Sequence, residues 1–349
     1  MAASVVSKAG VKSGGTVVKG KPPSRLAFER FMRNPLAVAG AIILLAIIFI
    51  TVGAPLFTHY SPSVIDIMNT NAPPSAAHPL GTDPSGYDNL ARLLYGGRVD
   101  LTVAFSAGVM TLVIGTIYGG ISGYFGGWID NLMMRFVDVM LNFPFVVFIL
   151  FLEAVFNTSG ELLLITVVVL TSWPASGRFM RGVFIQLRQQ DFVIGATTIG
   201  AGAWRTIFRH MLPNTVGTLS VLVSFAVAGY VGLEAALTFI GLGLPLSVAS
   251  WGGMLSEASN YTAMTTQPYL WLPPAIMIVL TILSVNFIGD GLRDAFDPQM
   301  RSSDRCCPRG GVVAAGALSR WLFFFRLIQF FVIMNMEEIC HEPQKTQFQ

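Results

Sequence analysis

The chain has 349 residues, 53% of them hydrophobic and 12% charged, with mean hydropathy +0.63. A soluble domain carries roughly 25% charged residues, so this composition excludes a chain that covers a water-facing surface of its own and points to a bilayer protein. Net charge of +3 is too small to call for a nucleic-acid partner, and the three cysteines, Cys306, Cys307 and Cys340, leave the main body with neither a disulfide framework nor a zinc cluster.

Residues 1–34 are polar and basic: Lys8, Lys12, Lys19, Lys21, Arg25, Arg30 and Arg33 face Glu29 alone. This reads as a cytoplasmic arm with a short amphipathic piece near Leu26 to Met32, not as a cleavable signal peptide. Gly15 to Lys21 imitates a phosphate-binding loop, but Pro22 stands where a magnesium-binding Ser or Thr belongs, so no nucleotide site is assigned.

Apolar runs then predict six transmembrane helices, at 36–57, 101–125, 139–157, 161–180, 216–241 and 269–290. The architecture is an all-α membrane protein. Pro174 interrupts the fourth run, and Arg178 and Arg181 at its end are expected to snorkel to headgroups. Basic residues favour the cytoplasm. The amino terminus and the 181–215 loop, with Arg181, Arg188, Arg205 and Arg209, therefore face inward, and six spans bring the carboxyl end there too. The 58–100 loop is external and ends in a short helix from Tyr87 to Arg98. In the 242–268 loop and just beyond it, Trp251, Tyr261, Tyr269 and Trp271 are expected at the membrane–water boundary. The 302–349 tail, with its short apolar run from Trp321 to Met334, receives no function.

The segment from Asp191 to Asn214 is the most informative. Asp191 is expected to cap a short helix, Gly200 and Gly202 to permit a sharp break, and a second short helix from Ala203 to Met211 to end before Pro213. The result is a two-helix knob that docks on a soluble partner, with Ile199, Trp204, Ile207, Phe208 and Met211 as apolar anchors.

Gly200, nine residues on to His210-Met211-Leu212-Pro213-Asn214, is similar to the coupling loop of importer permeases. Four further segments match in order: RNPLAVAG at Arg33 to Gly40, HPLGTDPSGYDNLARLLYGGR at His78 to Arg98, LTFIGLG with SWGGML between Leu237 and Leu255, and GDGLRDAFDP at Gly289 to Pro298. Over 33–301 the chain resembles the dipeptide/oligopeptide branch of ATP-binding cassette importer permeases, a branch that nickel permeases share. The resemblance implies a permease core of the MetI-like type at 100–295. It is preceded by the arm at 1–34 and by one span with its external loop at 35–99, and followed by a tail at 296–349. It implies that a second homologous permease pairs with this chain as a heterodimer. Two ATPase subunits dock on the loop, an external substrate-binding protein delivers short peptides, and the complex sits in lipid of the bacterial inner membrane. This chain would bind no cofactor, metal or nucleic acid and would not be an enzyme; ATP and magnesium would belong to the ATPases. The coupling residues carried over are Ile194, Gly195, Ala196, Gly200, Trp204, Arg205, Ile207, Phe208, Arg209, His210, Leu212, Pro213 and Asn214. The family's loop opens Glu-Ala-Ala where this chain has Ile194, Gly195 and Ala196, so a salt bridge from that Glu is lost or replaced, with Arg205 or Arg209 available.

Intramembrane charge is costly. Glu234 is expected to pair with an Arg of another helix or, alternatively, to face the pathway. Glu153 is expected at an interface, and Asp290, Arg293 and Asp294 to anchor the end of the last span. A nickel or nickel-chelate importer is the alternative transporter. A membrane-embedded hydrolase would need a nucleophile–base pair or metal ligands within the spans, and a passive channel would have no use for a docking knob.

Overall fold

A computed structural model describes residues 23–156 and 160–296. The arm before Pro23, the Glu153 side chain and the tail with its cysteines lie outside the described residues. All regular structure among these residues is helical: α1 (Pro23–Phe31), α2 (Pro35–Val52), α3 (Ala54–Phe57), α4 (Asn89–Phe125), α5 (Gly127–Leu141), α6 (Phe145–Phe156), α7 (Glu161–Arg188), α8 (Asp191–Thr198), α9 (Ala203–Arg205), α10 (Leu212–Phe239), α11 (Trp251–Leu255), α12 (Tyr261–Thr266) and α13 (Pro268–Phe296).

Among the described residues, five helical runs are long and apolar enough to cross a membrane: α2, α4, α7, the run from Ala203 to Phe239, and α13. The remaining expected span, the third, at 139–157, is divided. α5 ends at Leu141 and α6 restarts at Phe145, because Pro144 has no N–H to donate and disfavours helical geometry at the residue before it. Pro174 produces no such break, and α7 runs through it. The helix foreseen at 87–98 is continuous with its span as α4, whose start Asp88 caps by accepting the Ala91 N–H at 2.7 Å.

α4 and α7 form the closest pair. Gly115, Gly119 and Gly123 recur every fourth residue on α4. A Cβ at Gly119 would lie 2.3 Å from the Gly177 carbonyl oxygen and one at Gly123 2.7 Å from that of Arg181. Small residues at this spacing let two backbones touch. α2 packs on α13 through Ala37, Gly40 and Leu44, and leaves Ile42, Leu45, Phe49 and Val52 exposed. An apolar row turned outward in this way suits lipid or a second membrane subunit, not water. At the far end of α13, Asn34 donates to Asp294 and Arg30 to the Ala295 carbonyl, so Asp294 anchors that end as expected.

At the opposite end of the bundle the 58–88 loop folds back on α4. His78 Nδ1 lies 2.8 Å from Asp88 Oδ2, and Asn89 donates to the Leu80 carbonyl. Arg92 ties Asp83 to the 242–250 loop by donating to the Leu246 carbonyl at 2.6 Å. The segment from His78 to Arg98 thus holds this end together. Trp251 is not at a boundary but fully buried (0% exposed), wedged between α4 and α10. Tyr261, by contrast, is 80% exposed.

Candidate functional site

The connection from α7 to α10 leaves the bundle and returns as a compact projection. Gln190, not Asp191, is the N-cap of α8, and it makes no side-chain cap. Asp191 instead places its charge in the first turn, where the helix dipole favours it. Gly200 adopts φ +86, which a β-carbon would strain, and this turns the chain. Gly202 is extended, a conformation open to any residue.

The second helix does not stop before Pro213. Residues Thr206 to Met211 form a widened π-type turn that runs straight into α10, with Pro213 in its first turn. Proline is tolerated there because the first N–H groups of a helix need no internal partner. Asn214 Nδ2 donates to the His210 carbonyl at 2.6 Å. A π-turn of this kind is frequent at functional sites.

The residues divide into two faces. Val193, Ala196, Ile207 and Met211 are buried, and Val193, Ile207 and Met211 pack on Met180 and Phe184 of α7. Ile207 and Met211 were expected as partner anchors; they instead fix the projection to the bundle, because the helical period turns them inward. Leu212 packs beside them. The outward face carries Phe192, Ile194, Ile199 (86% exposed), Trp204 and Phe208. Trp204 stacks on Phe208 with centroids 5.8 Å apart and meets Phe125 of α4 edge-on. Gly195, Arg205, Arg209 and Asn214 are exposed along the same projection, and His210 is half-buried. Phe192 and Phe125 were missed from sequence; their period along α8 and α4 is the signal that could have found them.

A cavity of about 460 Å³ opens beside Ile194, lined also by Gly126, Asp130, Arg188 and Gln189. Asp130 and Arg181 form a two-pronged ion pair behind it, both contacts at 2.5 Å. That guanidinium holds the Asp130 carboxyl below the usual carboxylate range. Arg178 pairs with Asp138. Both arginines, expected to snorkel, thus reach α5 carboxylates that the divided third span brings within range.

Glu234 lies apart from this site. It is 2% exposed, accepts the Thr238 hydroxyl at 2.9 Å, and has no arginine partner among the described residues. The expected Arg pairing is therefore replaced by a hydrogen bond from its own helix. No group of three or more metal-binding side chains occurs among the described residues.

A family model described as "binding-protein-dependent transport system inner membrane component" matches residues 112–302, and one described as "N-terminal TM domain of oligopeptide transport permease C" matches 22–74. A protein of Brucella suis biovar 1, provisionally named a peptide permease, is 40% identical over 288 residues, covering 82% of this chain and 95% of its own. The oligopeptide transport system permease protein OppC of Bacillus subtilis is 37% identical over 275 residues, covering 79% and 89%. Among solved structures, a chain of the inward-facing MetNI methionine ABC transporter has a TM-score of 0.48 at 19% identity, covering 59% of this chain and 96% of its own. The first match spans more than half of the chain and these relatives cover most of it, so the chain belongs to the family of binding-protein-dependent transport system inner membrane components.

Proposed function

We propose that this chain is a multi-pass permease subunit of an ATP-driven importer that carries short peptides across the bacterial inner membrane. The observation that carries the coupling role is the outward apolar face of the α8–α10 projection, with Trp204 and Phe208 stacked on a base fixed to α7. A water-facing loop does not keep five large exposed apolar side chains on one small projection without a partner to cover them. The names of the relatives supply the substrate class: peptide or oligopeptide permeases.

In this reading the projection faces the cytoplasm, as its Arg188, Arg205 and Arg209 favour. An ATPase subunit receives the aromatic ridge in a groove. A second, homologous permease completes the pathway, with the unit of about 100–295 as the translocating core and 35–99 preceding it. An external binding protein delivers the peptide. ATP and magnesium belong to the ATPases; the residues of this chain transmit movement. The buried face, Val193, Ile207 and Met211 against Met180 and Phe184, makes the projection and α7 move together when the ATPases close. Ile194 stands half-exposed where the family has Glu, so contact here is by packing in place of a salt bridge.

Affinity purification of the tagged chain from native membranes tests this. A second permease and an ATPase are expected to co-purify, and the ATPase is expected to be lost from the Trp204→Ala/Phe208→Ala variant while the permease stays. A native chain that comes down alone, under conditions that keep other importers whole, would refute the reading.

A further inference from the structure

Two buried acidic side chains lie where α4 and α10 pack against α11. Asp100 on α4 is 0% exposed and Glu234 on α10 is 2% exposed. Asp100 holds the N–H of Trp251, and the backbone of Ala235, next to Glu234, stands 2.8 Å from where a Cβ on Gly252 would lie, so the two acids flank successive residues of α11. Asp100 Oδ2 accepts the Trp251 backbone N–H at 2.8 Å, while its Oδ1 is buried with no hydrogen-bond partner. Glu234 Oε1 accepts the Thr238 hydroxyl, and that hydroxyl oxygen accepts the Leu244 N–H at 3.3 Å. The two ends of the 244–251 segment are thus tied to the two carboxyls, one directly and one through Thr238.

Nothing around the pair supplies positive charge. Arg98, half a turn before Asp100, directs its donors to the Thr51 and Val52 carbonyls. Glu161 at the start of α7 also acts on Asp100, and it is negative. The other titratable group near Glu234 on α10 is Tyr230, one turn away; α2 and α11 carry none. α13 brings Tyr269 at this end and keeps Asp290, Arg293 and Asp294 at the other. Arg92, Asp83 and Glu257 gather around a separate cavity of about 210 Å³ in the loops above, where Arg92 is bound to Asp83. Neither Asp100 nor Glu234 has an ion-pair partner among the described residues.

Two carboxylates in an apolar interior, without a cation, lose hydration and repel each other; one proton between them removes a charge and supplies an O–H for an empty acceptor. We propose that Asp100 and Glu234 together bind a single proton taken from water, with Asp100 Oδ1 as the acceptor it fills, and that this proton holds the 242–255 wedge against α4 and α10. Release of the proton leaves two like charges directly beneath the wedge and loosens it. The site is independent of which solute the importer carries.

Infrared spectroscopy on the full chain with its co-purifying partners in lipid nanodiscs tests the proposal. A buried carboxylic-acid C=O stretch is expected at neutral pH and is expected to vanish when Asp100→Asn and Glu234→Gln are combined, because the double variant leaves no carboxyl to hold the proton. Hydrogen exchange of the 243–255 segment, corrected for intrinsic rates, reads the wedge. Wild-type protection falls as pH rises, and Glu234→Gln, which keeps shape and removes one charge, makes protection independent of pH. An acid band that survives both substitutions, or wild-type protection that is flat with pH, would overturn the proposal without need of any variant that fails to fold. Protection that follows sodium concentration, with no acid band, would give the site to an alkali cation and overturn it equally.

Discussion

Arg181 on α7 grips Asp130 on α5 through two parallel contacts of 2.5 Å, and Ser122 of α4 donates to the same carboxylate. Three helices thereby meet beside the α8–α10 projection. Because Arg181 holds the Asp130 carboxyl below its ordinary value, the stabilisation is present above the unfolded carboxylate pKa. It is lost as pH falls through the folded value. Asp130→Asn is therefore expected to lower the melting temperature of the purified chain at about pH 7 and to converge on wild type in acid, once the pH lies below the folded-state value. A deficit that is equal at both pH values would contradict the ion pair as its source.

Trp251 gives a second prediction. Its indole N–H donates to the Leu93 carbonyl at 2.9 Å and its ring lies on Gly97, where a Cβ would come within 2.5 Å of Cζ2. Trp251→Phe removes this hydrogen bond and shrinks a fully buried ring, and is expected to cost about 1–3 kcal/mol. Gly97→Ala overpacks the same contact, also flanked by Thr51, by about 1–3 kcal/mol. Thermal or denaturant unfolding followed by tryptophan fluorescence checks both.

The α4–α7 seam is less forgiving. Gly119→Leu must displace the Gly177 backbone, since even a Cβ there would stand 2.3 Å from its carbonyl oxygen. The backbone contact along Gly115, Gly119 and Gly123 would open, and the variant is expected to be degraded or recovered at a small fraction of the wild-type yield in membranes. Gly195→Ala, where no atom lies within 4 Å, is the matched control with normal yield.

Much of this architecture was legible in the residues. Five of the six apolar runs became uninterrupted helices because length and hydropathy alone decide a span. The third was divided by Pro144, which a hydropathy window cannot weigh, whereas Pro174 was absorbed within α7. Residue types marked 191–214 as a projection of two short helices, but not which side chains faced out. Ile207 and Met211, four residues apart, share the face that meets Met180 and Phe184 of α7 and so turn inward together. Trp251 looked interfacial because aromatics near a span usually are; Gly97 opposite its ring made the space that buries it, and Gly96 lets the Ser250 backbone approach α4. Partners distant in the chain, such as Asp130 with Arg181 and Asp100 with Trp251, leave no local pattern to read.

The exposed ridge also predicts how coupling responds to salt. Phe192, Ile194, Ile199, Trp204 and Phe208 bind by apolar burial, which a screening ion atmosphere does not weaken. Retention of the ATPase on the wild-type chain is expected to be nearly constant between about 0.1 and 1 M salt, a range over which the Debye length falls from about 10 to 3 Å. Trp204→Ala is expected to weaken it at least about tenfold at every salt concentration. An Ile194→Glu variant, which restores the family's acidic residue, should make retention salt-dependent. Loss of the wild-type complex at high salt would place Arg205 or Arg209 in command of the contact.

The central claim is import of peptides driven by ATP through this chain. The most direct measurement is uptake of a labelled tripeptide into proteoliposomes holding the co-purified complex, with ATP and the binding protein supplied on their proper sides. Uptake that requires ATP, saturates with peptide, and is abolished by Trp204→Ala/Phe208→Ala while the permease pair remains assembled is the predicted result. Accumulation that proceeds without ATP, or that is unchanged when the aromatic ridge is removed, would contradict it.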